Sequence, residues 1–187
     1  MIIAIIVIVV LVALVGFVIV GFNKLRTTDI GAQEALGGID VQLTRRADLI
    51  PNLVETVKGY AAHEKGVFEE VTKARAAVTA AAKGDDVPAK AAADDQLSQA
   101  LVKVNAVAEA YPDLKANTNF LELQTQLAET ENQISFARQY YNDAVATLNK
   151  LTETIPWMFL TGLAKVHKRD FYDAPEGHDI APTVSFT

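Results

Sequence analysis

The chain has 187 residues, no cysteine and a formal net charge of −6, from 17 basic and 23 acidic side chains. Without cysteine, the chain has no disulfide, no thiolate-bound metal and no thiol nucleophile. The acidic balance argues against a basic surface for nucleic acid, so we expect no nucleic-acid partner. Within residues 1–22 all side chains except Gly16 and Gly21 are hydrophobic, whereas the remainder has the composition of an ordinary soluble domain.

The segment 1–22 contains no charged side chain. As a helix it would extend about 33 Å, which is enough to cross a hydrocarbon core of about 30 Å. The alternative is a cleaved signal peptide, but no basic side chain precedes position 24 and the apolar run is longer than a signal peptide needs. The sequence therefore predicts a transmembrane helix over residues 1–22 and a single-pass protein of the cell membrane.

Two basic side chains, Lys24 and Arg26, directly follow this segment and are expected at the membrane interface. By the positive-inside rule they place the domain that follows in the cytoplasm. Asp29 and Glu34 come close behind, so the preference for the cytoplasmic side depends on two charges only.

The rest of the chain has helical periodicity, with apolar residues at intervals of three and four. The first helix beyond the span is predicted over residues 23–58, passing through Pro51 and ending before Gly59. A second helix carries the apolar positions between 67 and 78. A turn at residues 83–88 separates it from a third helix.

The third helix is predicted to end before Pro112, and the fourth to cover residues 118–154 with Asn119 as its N-cap. The fourth keeps its apolar stripe over several heptads, which is typical of helix-bundle or coiled-coil packing. Together these elements predict an all-α fold over residues 23–172, an antiparallel four-helix bundle with two long and two short helices. Residues 173–187 are predicted to be an irregular tail.

The two long helices outreach the two short ones, so the membrane-proximal part of the bundle is expected to be only two helices thick. Two helices cannot cover all their apolar positions, so we expect this part to pack against another subunit or another membrane protein. The apolar positions expected to need such cover are Leu25, Ile30, Leu36, Tyr141, Val145 and Leu148. The alternative is a fused, slightly offset bundle.

After Pro156, residues 157–160 are expected to return towards the bilayer surface, where Trp157 and Phe159 suit the interface. The basic side chains within residues 165–169 would then face anionic headgroups. The alternative is a C-terminal turn that folds onto the base of the bundle.

The sequence contains no nucleotide-binding or hydrolase motif, no H-E-x-x-H and no E-x-x-H. We therefore expect no catalytic residue, no metal and no cofactor. What stands out is the density of polar side chains on the long helices, which could fix the register of the bundle, form solvated faces or bind a partner. The structural and interaction candidates are Asp40, Gln42, Arg45, Arg46, Pro51, Asn52, Tyr111, Asn119, Glu131, Asn132, Arg138, Tyr141 and Asn142.

Residues 39–60, with the sequence IDVQLTRRADLIPNLVETVKGY, resemble the signature segment of the LemA family of bacterial membrane proteins. Stretches at 71–75, 111–120 and 130–142 agree with the same family. The resemblance implies an N-terminal membrane helix followed by an antiparallel helical bundle, and it extends to a magnetosome membrane protein family. It does not imply an enzyme, because the molecular function of the family is unsettled.

Two features depart from the family pattern. The chain has Leu36-Gly37-Gly38, whereas the family often has an aromatic residue near the position of Leu36 or Gly37. Lys165-Val166 replaces a Gly-Phe pair of the family. A glycine inside a helix costs about 1 kcal/mol relative to alanine, so we expect local flexibility or a close helix contact at residues 37–38.

These observations favour a non-enzymatic, membrane-anchored helical scaffold or adaptor that self-associates or organises other membrane proteins. Its expected partners are the lipid bilayer and either a second copy or other membrane proteins. The alternative is a lipid-binding or membrane-shaping protein that uses residues 157–169. A less favoured hypothesis is an enzyme whose site on the bundle surface would gather His63, Glu131 and Arg138.

Overall fold

The computed structural model describes residues 1–172, which contain helices and turns and, within that range, no β-strand. The predicted tail at residues 173–187 lies outside the described residues. In chain order the elements are α1 (Ile2–Lys58), α2 (Lys65–Ala81), α3 (Val87–Ala110), α4 (Pro112–Lys115), α5 (Thr118–Glu153), a 3-10 turn (Trp157–Leu160) and α6 (Thr161–Ala164). The prediction of two long and two shorter helices is confirmed, since α1 and α5 have 57 and 36 residues and α2 and α3 have 17 and 24.

Helix α1 joins the apolar segment and the first predicted polar helix without interruption. Its most apolar 18-residue window has a mean hydropathy of 3.7 and is not buried at all, so this helix is long and apolar enough to cross a membrane. Pro51 lies inside the helix with its ring exposed. The helix ends at Lys58, which confirms the end predicted before Gly59.

Helices α2 and α3 pack against each other across a short turn. Asp86 caps α3, because its carboxylate accepts the backbone N–H of Ala89 at 3.0 Å, and Pro88 occupies the first helical turn, where its missing N–H costs nothing. The helix ends at Ala110, before Pro112, as predicted. Its buried stripe consists of Val87, Lys90, Ala93, Asp94, Leu97, Ala100, Leu101, Val104 and Ala108.

The start of α5 differs from the prediction in one respect. The N-cap is Asn117, whose side-chain oxygen accepts the backbone N–H of Phe120 at 3.0 Å, whereas Asn119 is exposed within the first turn. The short helix α4 causes this shift, because its last turn directs the N–H of Asn117 to the carbonyl of Leu114. Asn117 is thereby placed just outside the helix, which is where a capping side chain acts.

The chain divides into two compact units. We call residues 1–37 with 139–171 the first unit, and residues 38–138 with Tyr172 the second unit. The second unit includes α2, α3 and portions of α1 and α5. Within it, Arg75 of α2 donates from Nε to the backbone carbonyl of Ala47 on α1 at 2.9 Å.

In the first unit, the expectation that the long helices leave apolar positions uncovered is wrong for five of the six positions. Ile30 is exposed, but the other five side chains are buried within this single chain. The C-terminal segment provides the cover. Asn149 exchanges two hydrogen bonds with the backbone of Arg169, at 2.9 and 3.0 Å, and the hydroxyl of Tyr141 donates to the carbonyl of Asp170 at 2.8 Å.

The same segment packs on α1 at Gly21. The indole of Trp157 stacks on Phe17 with ring centroids 5.8 Å apart, and Leu160 is buried. A Cβ at Gly21 would collide with Cδ1 of Leu160 and approach the Trp157 ring to 3.1 Å. The absence of a side chain at this position is therefore what allows the turn to lie against α1.

The two departures from the family pattern have different outcomes. Gly37 and Gly38 are exposed, and a Cβ at either would meet nothing within 4 Å, so the expected close helix contact is wrong. Lys165 occupies the left-handed region, with φ 52° and ψ 42°, where glycine is the least strained residue. The neighbouring Val166 is buried.

Candidate functional site

The second unit contains a buried network of ion pairs that joins three helices. Asp94 of α3 is completely buried and forms ion pairs with Arg46 of α1, at 2.9 Å, and with Arg138 of α5. Glu131 of α5 lies 2.8 Å from Nη1 of Arg46, although its direction does not fit a hydrogen bond. Both oxygens of Asp94 are engaged by guanidinium groups, which suits this carboxylate to fix the relative positions of the three helices.

Tyr172 closes one side of this network. The guanidinium of Arg138 lies 5.1 Å from the centre of its ring, and its hydroxyl is 3.5 Å from Asp94. Burial and the charge of Asp94 raise the pKa of Tyr172 above its usual range. Burial alone would lower the pKa of Arg138, but the charge and the hydrogen bond of Asp94 outweigh it and raise this pKa.

A second ion pair links the buried Lys90 of α3 to the half-buried Asp40 of α1. Lys90 is fully buried, and its ammonium group also lies 3.4 Å from the carbonyl of Ala82. Burial raises the pKa of Asp40 even though the neighbouring Lys90 lowers it. A buried ammonium group needs such a partner, because an uncompensated charge in the interior is costly.

Sequence reasoning missed both Lys90 and Asp94. The apolar residues Leu97, Leu101, Val104 and Ala108 form a stripe along α3, and steps of three and four continued backwards from Leu97 lead to positions 94, 90 and 87. Two charged residues on the buried side of a helix are the signal that could have found them, because such residues are rarely buried unless they are paired.

An open groove of about 730 Å³ lies beside the network, between α3 and α5. Its walls combine apolar side chains with polar ones, and Arg46 and Arg138 line it as well. The Nε atoms of these two arginines are buried and have no hydrogen-bond partner within residues 1–172. The remaining lining residues are Asp95, Ser98, Leu101, Val102, Asn105, Gln124, Leu127, Ala128, Glu131 and Ser135. Across the described part of the chain, no group of three or more potential metal ligands occurs.

The structure thus brings together three of the predicted site residues in one network, namely Arg46, Glu131 and Arg138. A fourth, Asp40, belongs to the separate pair with Lys90. Others lie outside both. Arg45 is exposed, 3.9 Å from Glu129, and the buried Oε1 of Gln42 has no hydrogen-bond partner in the described range. Exposed positions are Pro51, Asn52, His63, Asn119 and Asn132; Tyr111 and Asn142 are half-buried; Tyr141 is buried in the first unit.

The membrane-interface candidates belong to the first unit. The ammonium group of Lys24 lies 4.9 Å above the Trp157 ring, and Arg26 is 3.4 Å from Asp29. Asp29 also accepts from Arg169 at 2.9 Å. Phe159 is 72% exposed.

The chain is similar to one protein family and to three bacterial proteins. The family model for the LemA family matches residues 35–186. The chain is 24% identical to Magnetosome protein MamQ 1 and to MamQ 2 of Paramagnetospirillum magneticum (strain AMB-1), over 88% of this chain and 70% of each relative. It is 25% identical to Magnetosome protein MamQ of Magnetospirillum gryphiswaldense (strain MSR-1), over 83% of this chain and 66% of that protein.

Neither the matched family nor these relatives are known as enzymes. The exposed apolar helix at the N-terminus fits a membrane-associated protein. Because the family model covers most of the chain, the chain belongs to the LemA family.

Proposed function

We propose that this protein is a non-enzymatic, single-pass membrane scaffold or adaptor that self-associates or organises other membrane proteins. The observation that carries the proposal is the continuity of α1. One helix begins as a fully exposed apolar segment and continues, without a break, into polar units with buried cores. A partner bound to the polar part would therefore be tethered to the bilayer through a helix rather than a loose linker.

The proposal includes an antiparallel four-helix bundle in the second unit. Contacts support it, because Asp94 joins α3 to both α1 and α5, and Arg75 joins α2 to α1. Ion pairs at unique positions favour one register of the helices over others. A fixed register is what a scaffold needs in order to present the same surface to each partner.

Self-association is tested from an exposed position of the first unit. Ile30 is apolar and exposed on α1, whereas Leu25 and Leu148 are buried and unsuited to crosslinking. Because the chain has no cysteine, Ile30→Cys gives a single reactive site, and Thr27→Cys provides an exposed polar control on the same helix. We expect disulfide-linked dimers from Ile30→Cys in native membranes, and fewer from the control.

The mass of the full-length protein in lipid nanodiscs, measured by light scattering, gives a second readout. Two or more copies per disc would agree with a homo-oligomer. A single copy per disc, together with no crosslink to any membrane protein from either cysteine, would contradict the scaffold proposal.

The proposal also places the part of the chain that follows residue 22 in the cytoplasm, on the basis of Lys24 and Arg26. Ala92 is exposed on α3, so Ala92→Cys can be labelled with a membrane-impermeant maleimide. We expect labelling only after the cells are broken open. Labelling in intact cells would reverse the orientation.

A further inference from the structure

The connection after α5 exposes apolar side chains beside the apolar part of α1. We call residues 155–165 the interfacial turn. Leu160 and Ala164 point into the first unit and are buried. Ile155, Met158, Phe159 and Leu163 are exposed instead. A group of exposed large apolar side chains on one turn marks a surface that contacts something other than water.

The packing of Trp157 fixes the position of this turn along α1. Its ring stacks on Phe17, lies under the ammonium group of Lys24, and approaches Gly21 together with Leu160. Residues 17–24 are where the apolar segment of α1 gives way to polar residues. The turn is therefore held level with the end of the apolar segment, which is where tryptophan is favoured at a bilayer surface.

We propose that the interfacial turn inserts into the headgroup region of the bilayer that surrounds α1, with Phe159 and Leu163 among the lipids and Lys165 on anionic headgroups. This inference rests on the proposed membrane anchorage and adds a second lipid contact to it. The occupant is lipid because the neighbouring apolar segment of α1 is itself entirely exposed, and the two surfaces adjoin at Trp157.

The charges around the turn agree with an anionic lipid surface. Residues 17–30 and 153–170 together contain five basic and three acidic side chains. Lys168 forms an ion pair with Glu153, and Arg169 pairs with Asp29. Lys24 and Lys165 are exposed, and neither forms an ion pair with a residue of the described range. Lys24 lies over the Trp157 ring, so Lys165 is the basic side chain of the interfacial turn whose charge is open to a headgroup.

The backbone at Lys165 gives a separate indication. A lysine here has a positive φ of 52°, which is unfavourable for any residue with a Cβ and would be relaxed by glycine. A strained position that nevertheless carries a cation is consistent with a role for the side chain, and the charge is the property that glycine would remove.

Single cysteines with an environment-sensitive fluorophore test the insertion in the full-length protein. Phe159→Cys and Leu163→Cys report on the turn, and Tyr140→Cys is the matched control, because Tyr140 is 68% exposed and lies in the first unit on α5. The protein is placed in vesicles of phosphatidylcholine and phosphatidylglycerol. Lipids that carry a spin label near the headgroup serve as quenchers.

We expect blue-shifted emission and quenching at positions 159 and 163, and emission typical of water without quenching at position 140. Emission typical of water at all three positions would overturn the proposal. So would a blue shift at 159 and 163 that appears only in native membranes and is insensitive to the quencher, because that result would indicate a protein partner.

The variant Lys165→Gly tests the role of the charge. We expect a higher midpoint of thermal unfolding together with weaker quenching at position 159 in anionic vesicles, so the weaker signal cannot be attributed to misfolding. Quenching that stays equal to that of the unsubstituted protein would overturn the role of Lys165. Extraction of the protein by an alkaline carbonate wash would instead show that the anchorage by α1 fails, which is distinguishable from failure of the turn.

Discussion

The two units differ in which side chains they bury and which they expose. The second unit hides charge, because Asp94 and Lys90 are fully buried in its core. The first unit exposes hydrocarbon, both along the apolar part of α1 and on the turn that carries Phe159. The exposed apolar surface of the first unit would be unfavourable in water, whereas the buried charges of the second unit are tolerated because each has a partner of opposite charge.

The two units are expected to lose different amounts of stability when a side chain is substituted. Buried ion pairs contribute little net stability but make the removal of one partner costly, because the other charge stays behind without compensation. A substitution in the apolar packing at the Trp157 turn costs less stability where neighbouring side chains can adjust to it. Substitutions in the second unit should therefore have the larger effects.

The largest effect is expected for Asp94→Asn. This change leaves the guanidinium groups of Arg46 and Arg138 without their shared buried carboxylate, and we expect the free energy of unfolding to fall by about 3–5 kcal/mol. Chemical denaturation of the full-length protein in detergent, followed by circular dichroism, measures it. The exposed Asp113→Asn is the control, and a loss for Asp94→Asn no larger than that of the control would contradict the network.

In the first unit, Gly21→Ala is expected to cost about 1–3 kcal/mol, because the added methyl group overlaps Leu160 and crowds the ring of Trp157. Trp157 is the only tryptophan of the chain, so its fluorescence reports the displacement of the turn directly. Gly16→Ala is the matched control, since a Cβ there meets nothing within 4 Å. Unchanged emission in both variants would show that the turn does not depend on this contact.

A change in the opposite direction is expected at the glycines where the first unit ends and the second begins. Gly37→Ala and Gly38→Ala add a methyl group into open space within a helix, so each should stabilise the protein by about 1 kcal/mol. The midpoint of thermal unfolding in detergent gives the measurement. A lower midpoint in either variant would mean that the backbone at that residue requires the freedom of glycine.

The smallest effect concerns pH, and it compares one tyrosine from each unit. Burial raises the pKa of Tyr141 in the first unit, and burial with the charge of Asp94 raises that of Tyr172 in the second. A raised phenol pKa means that the folded state holds its proton more tightly. This contribution to stability is present below the unfolded pKa of about 10 and is lost as pH rises through the folded value.

Ultraviolet absorbance of the phenolate during alkaline titration checks this prediction. We expect Tyr172→Phe and Tyr141→Phe each to remove one late-ionising phenol from the titration curve of the folded protein. The same titration in denaturant is the control, where the five tyrosines should ionise together near the ordinary value. Ionisation of the folded protein in a single step at that value would refute the burial of both phenols.

The elements that the sequence predicted correctly are those whose cause is local. The end of α1 at Lys58, the end of α3 before Pro112 and the exposed apolar segment all follow from glycine, proline and hydropathy at adjacent positions. The signature segment at 39–60 likewise indicated the LemA family, because a sequence motif consists of residues that are adjacent in the chain.

The errors concern contacts between residues far apart in the chain. The cap of α5 is the exception, because the predicted Asn119 is displaced by Asn117 through the turn of α4, which directly precedes it in the chain. The cover of Tyr141 and Leu148 was missed because it comes from a segment that follows α5 and returns along it. The spacing of apolar residues within a helix does not indicate which later segment will pack against it.

The sequence by itself determined that this chain is a LemA-family protein with an apolar helix long enough to cross a membrane, because both properties are written in consecutive residues. Only the tertiary structure decided which charges are buried together and which apolar side chains stay exposed. Asp94 bonds to Arg46, 48 residues away in the chain, and to Arg138, 44 residues away. Gly21, near the start of the chain, lies against Trp157, which follows α5. Such pairings depend on how helices pack in space, which residue spacing along one helix does not specify.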